Sequence, residues 1–260
     1  MRAFSTGASG IAGKSGAYGL LLQSPPMSNL FGLIPAAGSG SRMGAQLPKQ
    51  YLTLAGKPVL HHAVAGLCRN ADIEAVIVVL STGDKHFAQH DWSEFGDRLV
   101  PLYCGGATRA DSVFNGLLAA RDQIDADDWV LVHDAVRPCL APAALARLIA
   151  AVTPEATGGL LALPVVDTLK RGDADGYVKA TESREHLWRA QTPQMFRYRL
   201  LVEALHGGDF AAITDESSAI ERLGLEPRLV AGDTRNLKIT YPEDLALAEM
   251  LMREMEQSCG

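Results

Sequence analysis

Four cysteines in 260 residues, Cys68, Cys104, Cys139 and Cys259, are too few for a disulfide framework and too scattered for a C-x-x-C zinc or redox site. A reduced, cytoplasmic setting suits such a chain. No uninterrupted apolar run approaches the ~20 residues that a membrane-spanning helix needs, so no membrane partner is expected. Excess positive charge is missing too. The net charge is −6 and the pI about 5.6, which leaves no electrostatic footprint for nucleic acid, whose binding is built on clustered Lys and Arg. Any phosphate bound here must be bound locally. His61 and His62 are adjacent, not four apart, so they share no helix face for zinc and read as a packed or solvated pair. No internal repeat is present, which excludes solenoids and propellers.

Residues 1–29 differ in composition from the rest. Gly, Ser and Ala dominate, Arg2 and Lys14 are the only charges, and no apolar period is visible. The segment reads as a disordered N-terminal extension. Its Gly13-Lys14-Ser15 ends like a P-loop, but Ala8 stands where the first glycine is required and no strand precedes it. Basic and free of acids, it also suits a targeting peptide. The preferred alternative is a stretch lying upstream of a start at Met27.

A 47% hydrophobic content is ample for a large core, and residues 30–258 are expected to form one domain with an insertion. Short apolar runs alternate with helical periods, the sequence form of βαβ units. The expected fold is therefore α/β: a Rossmann-like, mainly parallel sheet flanked by helices. Strands are predicted at Phe31–Ile34, Ala75–Leu80, Leu99–Tyr103, Trp129–Val132, Gly159–Val166 and Arg228–Val230, with Lys238 on or beside a further one at Leu237–Thr240. Helices are predicted after Pro58, over Arg109–Arg121, after Pro142, over Tyr198–Leu205, from Thr214-Asp215-Glu216 through Leu223, and from Pro242. Between about 165 and 190 the pattern changes to a hairpin, Thr168–Arg171 and Tyr177–Ala180 around Gly172–Gly176, with Glu182–Trp188 leading back towards Gln194. An arm with so few core residues needs a surface to pack on, and a second copy in a two-fold dimer is the default.

The stretch from Leu33 to Gln50 carries the chemistry. An apolar run ends at Pro35, then Gly38, Gly40 and Gly44 crowd among small residues before Arg42 and Lys49. Glycine lets backbone N–H groups approach phosphate oxygens, Arg42 can fork onto an oxygen pair, and Lys49 supplies a point charge. The spacing is neither G-x-x-x-x-G-K-[ST] nor G-x-G-x-x-G, which excludes the P-loop and the dinucleotide fingerprint of dehydrogenases. It resembles the signature loop of nucleotidyltransferases acting on sugar or polyol phosphates. Asp134 and Arg137 follow the strand Trp129–Val132, at the strand end where ligands gather in open α/β sheets. On spacing alone the lesser alternative is a turn in which Asp134 caps the helix after Pro142 and Arg137 pairs with it.

An ordered series of motifs spans Phe31 to Glu249: Pro-Ala-Ala-Gly-x-Gly-x-Arg-Met, Pro-Lys-Gln-Tyr, Gly-Gly-x-x-Arg-x-Asp-Ser-Val, Val-His-Asp-Ala-x-Arg-Pro, Asp-Thr-Leu-Lys, Thr-Pro-Gln-x-Phe, Thr-Asp-Glu and Asn-Leu-Lys-Ile-Thr-x-Pro-Glu-Asp. Together they resemble the 2-C-methyl-D-erythritol 4-phosphate cytidylyltransferases of isoprenoid precursor synthesis. The resemblance implies attack of a polyol phosphate on the α-phosphorus of CTP, with Mg²⁺ held mainly by the CTP phosphates and no metal ligands from the protein. It implies catalytic roles for Arg42, Lys49, Lys238 and Arg184. Nucleotide contacts would come from Pro35, Ala36, Ala37, Gly38, Gly40, Gly106, Ser112, Asp134 and Ala135. For the polyol phosphate it selects Asp134, Arg137, Thr168, Arg184, Thr192, Thr214 and Lys238, with the carboxylate accepting from hydroxyls and Arg and Thr donating to phosphate. Thr168 and Arg184 would complete the pocket of the neighbouring subunit in a homodimer. His133 would orient its loop rather than transfer protons. Ala107 departs from relatives that carry an acid there, leaving backbone contacts at Gly106. Ribitol 5-phosphate cytidylyltransferases are the nearest rival, and a nucleotide-binding module without catalysis is a rival of another class.

Overall fold

The computed structural model describes residues 28–38, 47–207 and 210–257. The loop residues Gly40, Arg42 and Gly44 and the extension up to Met27 lie outside the described residues. Ser28 and Asn29 already belong to the fold, because the Asn29 N–H donates to the Asp128 carboxylate (2.8 Å) and Arg197 donates to the Ser28 hydroxyl (2.8 Å).

The chain enters through β1 (Leu30–Pro35), a small hairpin of β2 (Thr53–Leu54) and β3 (Lys57–Pro58), and helix α1 (Val59–Cys68). Then come β4 (Ile73–Val79), β5 (Leu99–Leu102), α2 (Arg109–Ala119), β6 (Trp129–Val132), α3 (Pro142–Val152) and β7 (Gly159–Pro164). The arm is β8 (Leu169–Gly172) with β9 (Val178–Glu182), and the chain returns through β10 (Trp188–Arg197). It closes with α4 (Tyr198–Leu205), α5 (Glu216–Glu221), β11 (Arg228–Ala231) and α6 (Glu243–Gln257). Seven strands make one sheet in the order β11-β7-β10-β6-β1-β4-β5, parallel except for β10, which runs antiparallel to both neighbours.

Side-chain alternation along each strand builds a core on both faces of this sheet. Ile34, Val76, Val78 and Leu131 join the side chains of α1 and α3 on one face. Leu33, Ile77, Val79 and Val130 meet Val113, Leu117, Leu201 and Ile220 from α2, α4 and α5 on the other. Period two in the strands and 3.6 in the helices makes this inevitable once both faces are covered. Ile239, Ala248 and Met252 add a smaller cluster over Val59 and Leu54, which seats the C-terminal segment.

Three elements differ from the sequence prediction. Leu237–Thr240 is not a strand: the segment is irregular and is held by scattered bonds, among them the Ile239 N–H to the Val136 carbonyl (2.9 Å) and the Thr240 N–H to the Asp244 carboxylate (2.7 Å). Asp134 does not cap α3, whose N-cap is Ala141 with no side-chain bond, Pro142 supplying the preset φ instead. The return segment after the arm is a ten-residue central strand, β10, although Gln191, Thr192 and Pro193 argue against one. The ladder tolerates them because its register with β7 breaks between Ala190 and Gln194, a bulge where proline owes no hydrogen bond. Smaller shifts are confined to element ends: β7 stops at Pro164 and α5 at Glu221, short of Val166 and Leu223.

Leu33 is fully buried at the centre of β1. Leu33→Ala is expected to destabilise the protein by about 2–5 kcal/mol through lost transfer energy and a cavity. Denaturant unfolding checks this, with a lower midpoint at unchanged slope as the expected result.

Candidate active site

A cleft of about 530 Å³ opens where β1 and β6 end and α2 begins. Its floor is Pro35–Gly38, its walls are Gly106–Arg109 with Ser112 on one side and Lys238 with Thr240 on the other, and Asp134–Val136 close the inner end. Local chemistry sets each wall. Thr108 and Asp111 form a reciprocal capping box, so α2 starts squarely at the cleft and aims its positive end there. Gly105 must be glycine, since a Cβ there would collide with Ala37 and stand 2.9 Å from the Leu80 carbonyl. That close approach holds the two sides of the cleft together.

Buried Gln50 braces the start of the glycine-rich loop. Its amide Nε2 donates to the carbonyls of Ala36 (2.7 Å) and Gly38 (3.0 Å), joining the entry of the loop to its exit. Beside it, Lys49 Nζ donates to the Thr240 carbonyl (2.7 Å), which draws the C-terminal segment over the cleft.

Asp134 is the electrostatic centre. Oδ1 accepts from Arg109 Nε (3.0 Å), while Oδ2 accepts from Arg137 Nε (3.2 Å) and stands 3.0 Å from Lys238 Nζ. Burial alone would raise its pKa, but Arg109, Lys238 and Arg137 together hold it well below the usual carboxylate range. Burial likewise disfavours the charge of Arg109, yet Glu216 and Asp134 push its pKa up. Glu216 grips this guanidinium with both oxygens, at 2.6 and 3.0 Å. Arg137 also donates to the Asn236 carbonyl (2.7 Å). Four cations, Lys49, Arg109, Arg137 and Lys238, thus face three carboxylates, Asp134, Asp215 and Glu216, a local excess of positive charge in a chain that is acidic overall.

Beyond Asp134 a second cleft of about 180 Å³ is lined by Arg137, Thr192, Gln194 and Thr214. Arg109, Asp134 and Lys238 line both clefts. A ligand in each would therefore meet the other across one charged ridge.

The structure brings together Pro35, Ala36, Ala37, Gly38, Lys49, Gly106, Ser112, Asp134, Ala135 and Lys238 in the larger cleft, and Arg137, Thr192 and Thr214 in the smaller. Gly40 and Arg42 lie outside the described residues. Thr168 and Arg184 line neither cleft: both are exposed on the arm, where Arg184 donates to the Val166 carbonyl. Ser112 lines the larger cleft with its hydroxyl already engaged, donating to the Thr108 carbonyl (2.9 Å) and accepting from the Gly106 N–H (3.1 Å). The Gly106 N–H is therefore spent on the turn rather than offered to a base. Sequence reasoning passed over Gln50, Arg109, Glu216 and Asn236. Each lies inside one of the quoted motifs, but the partner that gives it a role lies outside that motif. His61, the neighbour of His62, is packed as expected, between Trp92 and Phe95 with Nε2 3.0 Å from Glu94. Among the described residues no three His, Cys, Asp or Glu side chains gather as a metal site, and no helix is long and apolar enough to cross a membrane.

The profile of the family described as IspD, 2-C-methyl-D-erythritol 4-phosphate cytidylyltransferase, matches residues 30–254. The protein of that name from Nitrosospira multiformis is 59% identical over 229 residues, 87% of this chain and 99% of the relative. The one from Dechloromonas aromatica is 56% identical over 227 residues, 87% of this chain and 99% of the relative. Among solved structures, a 4-diphosphocytidyl-2C-methyl-D-erythritol synthase is 42% identical and superposes with a TM-score of 0.76, covering 86% of this chain and 98% of its own. The Francisella tularensis 2-C-methyl-D-erythritol 4-phosphate cytidylyltransferase is 33% identical, with a TM-score of 0.73 and coverage of 86% and 100%.

His133 is fully buried between the Arg137 carbonyl and Thr192, and burial, opposed by the charge of Asp134, pushes its pKa down to about 4. An unfolded histidine titrates at about 6.5. Between those values the unfolded chain takes up a proton that the native ring refuses, so stability falls as pH drops from about 6.5 to about 4, by about 3 kcal/mol for this one ring. Burial drives His61 the same way, also to about 4. Denaturant midpoints at pH 7.5, 6.5, 5.5 and 4.5 test this: a plateau down to 6.5 and then a decline is expected, and a flat profile contradicts the neutral buried ring.

Proposed function

The chain belongs to the 2-C-methyl-D-erythritol 4-phosphate cytidylyltransferase family, and on that premise we propose that it transfers the cytidylyl group of CTP to 2-C-methyl-D-erythritol 4-phosphate. The products are 4-diphosphocytidyl-2-C-methyl-D-erythritol and pyrophosphate, on the non-mevalonate route to isoprenoid precursors. The observation that carries this reading is the ridge of Arg109, Asp134 and Lys238 common to both clefts. CTP fits the larger cleft with its triphosphate towards the loop and α2, and the polyol phosphate fits the smaller, so nucleophile and α-phosphorus meet at the ridge.

Displacement at phosphorus asks the protein to align the reactants and neutralise growing charge. The attacking phosphate is already ionised, so no general base is required. A site rich in cations, with its one histidine buried and neutral, suits that chemistry. Arg42 and Lys49 are assigned to the triphosphate and the charge of the transition state, and Lys238 to the α-phosphate or the incoming phosphate. Ser112 and the backbone around it border the space left for the base. Asp134 already serves three cations, so in this reading Mg²⁺ is assigned to the nucleotide rather than to a protein cage. The ion would be held by CTP phosphate oxygens, where it supplies charge neutralisation and Lewis acidity. The three described cysteines are free, in keeping with a cytoplasmic enzyme.

The arm supports a homodimer. Its β8–β9 hairpin forms a separate two-stranded sheet, marginal on its own, with Val166 66%, Tyr177 70% and Val178 63% exposed. In a two-fold dimer such an arm would lie on its partner and deliver Thr168 and Arg184 to the partner's polyol cleft.

Pyrophosphate release with Mg²⁺ and CTP, offering methylerythritol 4-phosphate beside ribitol 5-phosphate and with ATP, GTP and UTP as controls, tests the activity. Turnover with CTP and methylerythritol 4-phosphate alone is expected, and Lys238→Ala should lower it by ~10²–10³. A preference for ribitol 5-phosphate, or no release with either polyol, overturns the assignment. For the arm, the double variant Tyr177→Glu, Val178→Glu should sediment as a monomer and lose turnover. A clean monomer with full activity would refute the shared pocket.

A further inference from the structure

Buried hydrogen-bonding groups around Thr192 fix where its hydroxyl proton goes. The Arg137 carbonyl, 3.1 Å from His133 Nε2, can only accept, so Nε2 carries the ring proton and donates it. The ring has no exposure and stays neutral, which leaves Nδ1 with a bare lone pair. Thr192 Oγ1 lies 3.0 Å from Nδ1 and must therefore donate to it. The same oxygen accepts the Asp134 N–H at 3.0 Å. Its proton and one lone pair are thus committed within the protein, and one lone pair remains. Asn236 Nδ2 donates to the Thr192 carbonyl (2.7 Å) and pins the residue at the bulge of β10.

Thr192 lines the smaller cleft beside Arg137 and Lys238, which are donors, and beside two carboxylates that are already engaged: Asp134, whose oxygens receive three cations, and Asp215, which accepts from Gln194 Nε2 (2.9 Å) and the Ser218 N–H (2.9 Å). We propose that His133 is a positioning residue that draws the Thr192 proton inward, so that Thr192 presents only an acceptor to the smaller cleft and takes a hydroxyl of the polyol, not its phosphate. A phosphate oxygen has no proton to give at neutral pH and would be repelled by that lone pair. An alcohol supplies one. The assignment rests on the polyol phosphate reading of this cleft, and it revises the expectation that Thr192 donates to phosphate.

Two replacements at position 133 separate the two nitrogens. His133→Asn sets an amide oxygen near the Nδ1 position and can still accept from Thr192. His133→Gln reaches the Nε2 position, keeps a donor for the Arg137 carbonyl and loses the acceptor. Steady-state kinetics should show KM for methylerythritol 4-phosphate raised about tenfold in His133→Gln with KM for CTP within twofold of wild type, and a smaller rise in His133→Asn. Thr192→Val, which also strips the acceptor from the Asp134 N–H, should raise the KM for methylerythritol 4-phosphate at least as far as His133→Gln, Thr192→Ser should keep the wild-type value, and adding His133→Gln to Thr192→Val should raise it no further. Equal rises for Asn and Gln, a parallel rise in KM for CTP, or multiplying effects in the double variant would overturn the proposal. Nitrogen chemical shifts of ¹⁵N-histidine-labelled wild-type protein without substrate provide a check independent of folding defects and of substrate identity. A neutral Nε2–H tautomer for His133 is expected, and Nδ1–H or a doubly protonated ring at pH 7 refutes the assignment. Failure of every polyol phosphate to release pyrophosphate with the wild type, beside the expected tautomer, would instead strike the functional reading alone.

Discussion

The structure around the site depends on one carboxylate surrounded by three cations. A polyanion site has to keep several positive groups close together before its ligand arrives, and their mutual repulsion and desolvation oppose this. Asp134 answers the problem by standing between Arg109, Arg137 and Lys238. Glu216 steadies the far side of Arg109, so the guanidinium is held from two directions. The arrangement leaves Lys238, the half-exposed member, as the cation whose partner a phosphate can most readily replace. Losing Asp134 would remove this common counter-ion, leaving the cations to be met by solvent or by each other.

The fold delivers these groups from elements distant in sequence, and the irregularities in it do much of the aiming. Strand β6 ends at Val132 and is followed directly by His133 and Asp134, where a parallel strand naturally presents its ligands. Strand β10 runs the other way, and its bulge releases Gln191 and Thr192 from the ladder. Gln191 then bonds the Asp233 carbonyl (2.9 Å), Thr192 bonds His133 and Asp134, and both tie the Asn236–Thr240 segment to the sheet. Lys238 needs no strand of its own, because its neighbours Asn236 and Ile239 are each fastened to the core.

Much of this was legible in the sequence. Apolar alternation gave the parallel strands, and the position of Asp134 and Arg137 after one of them pointed to the site. What stayed hidden were pairings. Arg109 and Glu216 are 107 positions apart, and Gln50 bonds backbone carbonyls that no side-chain pattern marks. Asn236 and Thr192 meet across 44 positions, at a bulge in a strand that the sequence prediction did not include. Spacing reports neighbours along one element, whereas such contacts depend on how elements pack. The arm residues Thr168 and Arg184 were selected by motif, and in a single chain they have no cleft to line.

The Gln50 amide has a consequence for the loop it closes. By bonding Ala36 and Gly38 from beyond the exit, it fixes the distance between the loop's two ends through contacts within the protein alone. Joining the ends of a chain segment costs configurational entropy that depends on its length, and here a side chain buried in the fold meets that cost during folding. An anion bound in this cleft would then meet Ala36 and Gly38 already held in place, so less of its contact free energy would go into ordering them.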